Sequence, residues 1–296
     1  MKNLNLNNPT GGRLALLTAA LIWGTSFVIL KDTLDSLPVF LLLAIRFTLG
    51  GVLLAAVFHR RIMACTRKLM GHGIISGLLL VSAYAAQTYG LKTTSPGTNA
   101  FLTSIYCVLV PFLAWLVFRK RPTAYNWVAA ILCIAGIGLI SLSGDFTIGI
   151  GEWLTLLSGL LYALHILSLS HFGKQDEPIA LTIVQFAVVA AVSWGCSLLF
   201  EPGAGFTEAA VWPPLLYLTV FATGITMALQ TVGQKLTPPS QAAILLSLES
   251  VFGVFFSILM GAEQITGPLV CGFVLIFISV ILSETQLSFL RKRSSQ

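Results

Sequence analysis

The amino-acid sequence predicts an all-α polytopic membrane protein with ten transmembrane helices arranged as two inverted five-helix repeats. Three observations lead to this prediction. Charged residues make up only 9% of the 296 residues and apolar residues 56%, whereas soluble domains carry about 25% charged residues. The chain divides into ten long apolar segments, and short motifs from its first half recur in its second half.

Ten segments are long enough to cross a membrane, which takes about 20 mainly apolar residues. They are, in order, roughly 12–31, 37–58, 70–91, 96–118, 124–144, 151–171, 178–200, 212–234, 239–260 and 267–288. Turn-forming and charged residues separate them, as at Ser95-Pro96-Gly97 and at Arg119 to Pro122. The longest loops, 59–72 and 201–214, leave no room for a domain outside the membrane.

The distribution of lysine and arginine predicts the orientation of these spans, because cytoplasmic loops carry an excess of both. With a cytoplasmic N-terminus, fourteen of these residues fall inside and only Lys31 and Lys92 fall outside. We therefore expect both termini, including the basic tail Arg291-Lys292-Arg293, in the cytoplasm and the protein in the inner (plasma) membrane.

An internal repeat is visible at a constant offset of about 140 residues. The stretch QTYGLK, from Gln87 to Lys92, matches QTVGQK, from Gln230 to Lys235. Likewise IRF, ending at Phe47, lies over VQF, ending at Phe186, and Trp23 lies over Tyr162. The chain is therefore predicted to consist of two five-span halves, residues 1–146 and 147–296.

Because five is an odd number, the second half enters the membrane from the opposite side, so the repeats are inverted. Inverted repeats suit alternating access, with a site near the membrane midplane between them. Gln87 then lies near the outer end of its helix and Gln230 near the inner end, and both are candidate gate residues. Alternatively, they cap helix ends while Lys92 and Lys235 extend to the interface.

Several short motifs stand at defined places in these spans. They are Trp23-Gly24, Arg46-Phe47, Thr94-Ser95-Pro96 to Ala100, Pro111, Glu249, and Gly261-Ala262-Glu263. Together they resemble the drug/metabolite transporter superfamily, specifically its ten-helix EamA-type branch, over nearly the whole chain. The resemblance implies two inverted repeats around a central cavity and a metabolite carrier, often an exporter, in a bacterial inner membrane.

Two positions depart from that family pattern. Ser250 follows Glu249 where the family commonly has proline, which argues against a helix break there. Arg119-Lys120-Arg121 stands where the family commonly carries an acidic residue.

Two charged side chains lie deep inside predicted spans. Glu249 and Arg46 are each about 15 Å along their helices, near the membrane centre. A charge there costs about 2.5–3.5 kcal/mol and usually faces the bundle interior or a wet cavity. We expect Glu249 to hold a cationic group or a proton and Arg46 a carboxylate or phosphate. The alternatives are an Arg46–Glu249 ion pair or separate internal hydrogen bonds.

Six further polar or aromatic residues sit well inside spans, away from the interfaces where Trp and Tyr usually gather. These candidates for substrate binding are Trp23, Tyr84, Tyr106, Tyr162, His165 and Gln185. Buried Tyr and Trp need hydrogen-bond partners, which a hydrated cavity supplies, and His165 could relay a proton. Helix packing, or a core histidine with satisfied hydrogen bonds, is the alternative for each.

These features favour a secondary transporter for a small organic metabolite, such as an amino acid or a similar charged, zwitterionic or aromatic solute, with efflux as the expected direction. Protons are the candidate coupling ion, and the chain is expected to be a monomer or homodimer in contact with membrane lipid. A membrane scaffold, a lipid scrambler and an intramembrane enzyme are the alternatives. The sequence contains no HExxH, GxSG, GxGD or P-loop motif and no CxxC pair, so we expect no enzyme, no cofactor and no metal, and it shows no nucleic-acid module.

Overall fold

The computed structural model describes residues 9–62, 65–119, 121–141, 148–203, 209–237 and 239–285, and these ranges contain helices and no β-strand. The helices are α1 (Pro9–Thr33), α2 (Val39–Val57), α3 (His59–Ile62), α4 (Arg67–Thr93), α5 (Pro96–Thr103), α6 (Tyr106–Phe118), α7 (Ala124–Ser141), α8 (Ile150–Phe172), α9 (Pro178–Phe200), α10 (Trp212–Thr219), α11 (Thr226–Leu236), α12 (Pro239–Leu259) and α13 (Gly267–Thr285). A 3-10 turn, Ala209–Val211, precedes α10, and a π-helical segment, Val220–Ile225, joins α10 to α11.

The helices have the length and composition of membrane spans. Among the described residues, eight helical stretches are long and apolar enough to cross a membrane, and two apolar helices, Ala124–Leu139 and Gly267–Ser279, are shorter. The predicted all-α polytopic membrane fold is therefore confirmed. The shorter pair coincides with the predicted fifth and tenth spans, and the count of ten stays a prediction. The basic tail lies outside the described residues.

Helix neighbours occur in exchangeable pairs. Helix α4 packs on α8 as α1 packs on α11, and α8 packs on α5 and α6 as α1 packs on α12. The other large contacts join α2 to α9, α7 to α13 and α5 to α12, each of which exchanges with itself, and α4 to α9, whose counterpart is the contact of α2 with α10 and the π-helical segment. Exchanging the first five predicted spans with the last five leaves this set of contacts unchanged, as a twofold relation between the halves requires.

Contacts between repeat-equivalent residues mark where such an axis would run. The Tyr106 hydroxyl donates to Glu249 Oε1 at 3.1 Å, across 143 positions of sequence. Tyr84 lies 4.0 Å from the sulfur of Met227 at the same separation, which is also the offset between QTYGLK and QTVGQK. A residue contacts its own counterpart only beside a twofold axis, so these pairs support the predicted repeat.

Two pairs of glycines allow helices from opposite halves to approach closely. A methyl group placed on Gly90 of α4 would lie 2.8 Å from the carbonyl oxygen of Gly151 in α8. One placed on Gly233 of α11 would lie 2.9 Å from the carbonyl oxygen of Gly12 in α1. The first crossing joins the C-terminal end of α4 to the start of α8, and the second joins the C-terminal part of α11 to the start of α1.

The helices are irregular in two places: at the break between α5 and α6 and in the π-helical segment Val220–Ile225. The predicted fourth span breaks between α5 and α6 at Ser104-Ile105, where the Ser104 hydroxyl donates to the Ala100 carbonyl at 3.0 Å. Such a bond competes with the helical ladder and bends helices. Helix α12, by contrast, runs unbroken through Glu249, as the absence of a following proline predicts.

Candidate functional site

A cavity lies between the two halves of the chain. Residues of α1, α2, α4, α6, α8, α11 and α12 form its wall. The lining residues are Trp23, Ser26, Phe27, Leu30, Arg46, Tyr84, Gln87, Tyr106, Tyr162, Ile166, Met227, Gln230, Leu246 and Glu249. Eight of the ten residues singled out in the sequence are among them, and their roles stay predictions.

Arg46 is fixed in the wall by the π-helical segment. Its Nε and Nη2 atoms donate to Thr223 Oγ1 at 3.1 and 3.0 Å, and its Cζ atom lies 5.6 Å from the centre of the Tyr84 ring. The side chain is only 2% exposed. Its third nitrogen, Nη1, is buried and has no hydrogen-bond partner among the described residues. The guanidinium therefore presents an unused donor in a cavity wall.

Glu249 faces the same cavity from α12 and is 6% exposed. Its hydrogen-bond partner is the Tyr106 hydroxyl. The ion pairs formed within the described ranges are Arg61–Glu177 and His72–Asp176, so Arg46 and Glu249 do not neutralise each other. The structural ion pair that the sequence left open is thus not formed.

Aromatic side chains build much of the remaining wall. Trp23 donates its indole N–H to the Ala222 carbonyl at 2.9 Å, and the Tyr84 and Tyr162 rings meet edge to face at 5.7 Å. These side chains offer apolar faces to the cavity while their polar atoms are held by the protein.

The two predicted gate residues differ in their hydrogen bonding. Gln87 accepts from the Tyr162 hydroxyl at 2.9 Å and donates to Thr103 Oγ1 at 3.2 Å. In Gln230, the carbonyl oxygen Oε1 is buried without a partner in the described part of the structure. Both line the cavity, but only the Gln87 amide is tied by side chains on both of its atoms.

The structure does not bring His165 and Gln185 to the cavity. His165 Nε2 and Gln185 Oε1 are 2.7 Å apart, and both side chains are fully buried between α8 and α9. The sequence interpretation placed His165 on the face of Tyr162, three residues earlier, but its partner on α9 holds it away from the cavity wall. Their contact with a substrate stays a prediction; in this structure the two side chains pack as a hydrogen-bonded pair.

Sequence reasoning missed several lining residues. Phe27, Ile166, Met227 and Leu246 belong to spans that are apolar throughout, so nothing marks them. Thr223, which holds Arg46, was missed because its position depends on the π-helical segment Val220–Ile225. Such segments are often found at functional sites.

Comparison with known proteins is consistent over nearly the whole chain. The model of the EamA-like transporter family matches residues 10–142 and again residues 149–285. An uncharacterized transporter of Archaeoglobus fulgidus is 33% identical over 275 residues, which cover 91% of this chain and 84% of that protein. The uncharacterized transporter YoaV of Bacillus subtilis is 24% identical, with 91% of this chain and 95% of that protein covered.

A solved crystal structure matches the fold with a TM-score of 0.72, over 95% of this chain and 99% of the other, at 19% identity. At that identity the likeness concerns the fold alone. Both halves match one transporter family in sequence, and the membrane-spanning helices surround a polar cavity. The chain accordingly belongs to the EamA-like transporter family, within the drug/metabolite transporter superfamily.

Proposed function

We propose that the protein is a secondary transporter that carries a small zwitterionic or aromatic organic solute, such as an amino acid, through the central cavity. The observation that supports this most is the state of the two central charges. Arg46 keeps a buried donor without a partner, and Glu249 lines the same cavity without pairing to it. Isolated charges inside a membrane are unfavourable, and a bound solute with a carboxylate and an amine would compensate both.

The cavity wall suits such a solute in its chemistry. The planar guanidinium of Arg46 is suited to a carboxylate, and the carboxylate of Glu249 to an amine. The rings of Trp23, Tyr84 and Tyr162 offer apolar surface for the rest of the molecule.

The paired helix contacts support alternating access by the two halves, 1–146 and 147–296. A twofold relation in the membrane plane lets each half take the role of the other, with Gln87 and Gln230 at the two gates. Both termini lie in the cytoplasm in this proposal. Efflux across an inner membrane, with a proton moving in exchange, is the direction that the family resemblance favours.

The test is solute flux in proteoliposomes with a panel of metabolites, comparing the unaltered chain with Arg46→Ala. We expect the variant to lose at least tenfold in initial rate for the transported solute, because the carboxylate loses its charged partner. The matched control is Arg61→Ala, whose ion pair with Glu177 has its arginine 62% exposed and lies outside the cavity. Equal flux in all three proteins at equal folded amounts would remove Arg46 from the site. If lipid moves but no solute does, a scrambler replaces the proposal.

A further inference from the structure

A row of buried polar side chains begins at the cavity wall and continues along one face of α11 toward the end of that helix. Gln230, Gln234 and Thr237 are spaced by four and three residues, so they stack on one side of the helix. All three are nearly inaccessible, with Gln234 at 1%. Gln230 Oε1, both amide atoms of Gln234 and Thr237 Oγ1 have no hydrogen-bond partner within the described ranges. Buried polar atoms are normally paired, so four in one row need an explanation.

The row connects two places in the structure. Gln230 is part of the cavity wall. Thr237 follows the last residue of α11 and packs at the beginning of α1, where a methyl group on Gly12 would lie 3.0 Å from Thr237 Oγ1. The unpaired atoms therefore lead from the cavity to the end of the bundle next to Lys235.

The other half of the chain contains the same row without the unpaired amide in its middle. The aligned QTYGLK and QTVGQK stretches place Leu91 at the position of Gln234, and Leu91 is fully buried. Gln87 is bonded through both amide atoms. Thr94, the counterpart of Thr237 as the cap of its helix, donates to the Gly90 carbonyl at 2.9 Å and accepts from Asn99 Nδ2 at 3.3 Å.

The comparison of the two halves argues against a purely structural role for Gln234. Leucine fits the equivalent place, and replacing an unpaired buried polar group by an apolar one of similar shape is neutral or stabilising. Hydrogen bonds to Glu263 also hold together the end of the bundle next to Leu91. Glu263 accepts hydrogen bonds from Ser95, Thr98 and Ser257 and from the Gly97 backbone N–H, tying the start of α5 to the turn after α12.

We propose that Gln230, Gln234 and Thr237 form the wall of a polar path between the cavity and the Lys235 end of the bundle, along which the solute passes. The carboxamide of Gln234 offers one donor and one acceptor group, so it suits a solute, or its hydration water, that bears both. The path is built at this end only, and the Leu91 end lacks its central amide. This inference rests on the proposed function, since it assigns a passage to the solute of that cavity.

The first test is Gln234→Leu, which copies the residue at the equivalent place in the first half. We expect an unchanged or higher unfolding temperature together with at least a fivefold lower maximal rate of solute flux, and little change in KM. Unchanged flux at unchanged unfolding temperature would overturn the proposal. A lower unfolding temperature would also overturn it, since it would show that Gln234 is needed for packing.

The second test needs no knowledge of the solute. Gln234→Cys and Leu91→Cys are each reconstituted in phosphatidylethanolamine–phosphatidylglycerol liposomes. Each is then exposed on both sides to a methanethiosulfonate reagent that carries a trimethylammonium group. Intact-mass measurement counts adducts relative to the unaltered chain, which has five cysteines of its own.

We expect one additional adduct on Gln234→Cys and none on Leu91→Cys. Equal labelling of both variants, or of neither, would overturn the path. Labelling of Gln234→Cys without flux of any solute would keep the path and reject transport. Flux by a protein whose Gln234→Cys variant stays unlabelled would keep transport and reject the path.

Discussion

At the scale of single residues, the centre of the molecule keeps two opposite charges in one cavity without pairing them. Thr223 occupies two of the three nitrogens of Arg46, and Tyr106 donates to Glu249. These neutral partners fix each side chain in place and leave its charge uncompensated. Such an arrangement binds a ligand more readily than a closed ion pair, which would first have to be broken.

Glu249 is also the residue through which a proton could be exchanged for solute. In proteoliposomes, we expect an imposed pH gradient to drive solute movement by the unaltered chain but not by Glu249→Gln, because an amide cannot take up and release the proton. Glutamine can still accept the hydrogen bond from Tyr106, so the cavity wall should stay intact, but exchange of labelled for unlabelled solute should fall as well, because the amine of the solute loses its charged partner. The loss of gradient-driven movement is therefore judged relative to the exchange that remains. Gradient-driven movement at the normal rate in Glu249→Gln would exclude this residue as the proton carrier.

The location of Arg46 and Glu249 could be predicted from the sequence, because a charged side chain in an apolar span usually faces the bundle interior or a cavity. The hydrogen bond of His165 to α9 was not predicted, because helical spacing says which residues share a face but not which neighbouring helix offers a partner. That partner is Gln185 on α9. Met227 and Phe27 carry no signal at all, because an apolar residue in a lipid-facing position and one in a cavity wall look alike.

At the scale of helices, close contact between the halves depends on small residues at the crossings. The α4–α8 crossing brings the Gly90 backbone against α8, with Thr155 Oγ1 and the Gly151 carbonyl oxygen beside the place where a β-carbon would stand. Added atoms at such a place force the backbones apart, and overpacking costs about 1–3 kcal/mol.

A pair of substitutions in one helix separates this effect from helix propensity. Gly90→Ala should lower the free energy of unfolding by about 1–3 kcal/mol. Gly71→Ala, also in α4, should leave it unchanged or raise it by about 0.5–1 kcal/mol, because open space surrounds Gly71 and alanine favours helices. Thermal unfolding of both variants in the same detergent measures the difference. Equal effects would show that the crossing tolerates separation.

The long apolar segments made the helices predictable, while their irregularities were not. The break between α5 and α6 contains a hydrogen bond from the Ser104 hydroxyl to the carbonyl four residues earlier, and the π-helical segment contains one from the Thr223 hydroxyl to the carbonyl five residues earlier. Serine and threonine make such bonds in many straight helices, so their presence in the sequence does not predict where a helix will break or become π-helical. The tie between Glu263 and the start of α5 was equally hidden, because it joins turns that are far apart in sequence.

At the scale of the whole molecule, sequence repetition and spatial contact agree. Matched motifs at one offset predicted two related halves, and Tyr106–Glu249 and Tyr84–Met227 are contacts between matched positions. Within the matched QTYGLK and QTVGQK stretches, the halves differ at Leu91 and Gln234. A symmetric frame with unequal ends allows one passage to be sealed more firmly than the other, which matched motifs alone did not predict.

The orientation of the second half depends on whether α7 crosses the membrane. Its 18 residues span about 27 Å at 1.5 Å per residue, close to the hydrocarbon thickness of about 30 Å. It packs along α13, and Ile131 and Ile134 are 66% and 69% exposed, as expected of side chains that face lipid. We therefore expect α7 to span the membrane and the start of α8 to lie outside.

Single cysteines at the two ends of α8 test this orientation in intact bacterial cells. Ile150→Cys should react with a membrane-impermeant maleimide added outside, and Lys174→Cys should react only in inside-out vesicles, because α8 then runs from outside to inside. If α7 stayed on the cytoplasmic side, α8 would run the other way and the two labelling patterns would be exchanged. Since the inverted relation between the halves requires an odd number of crossings before α8, exchanged labels would remove the symmetry on which alternating access depends.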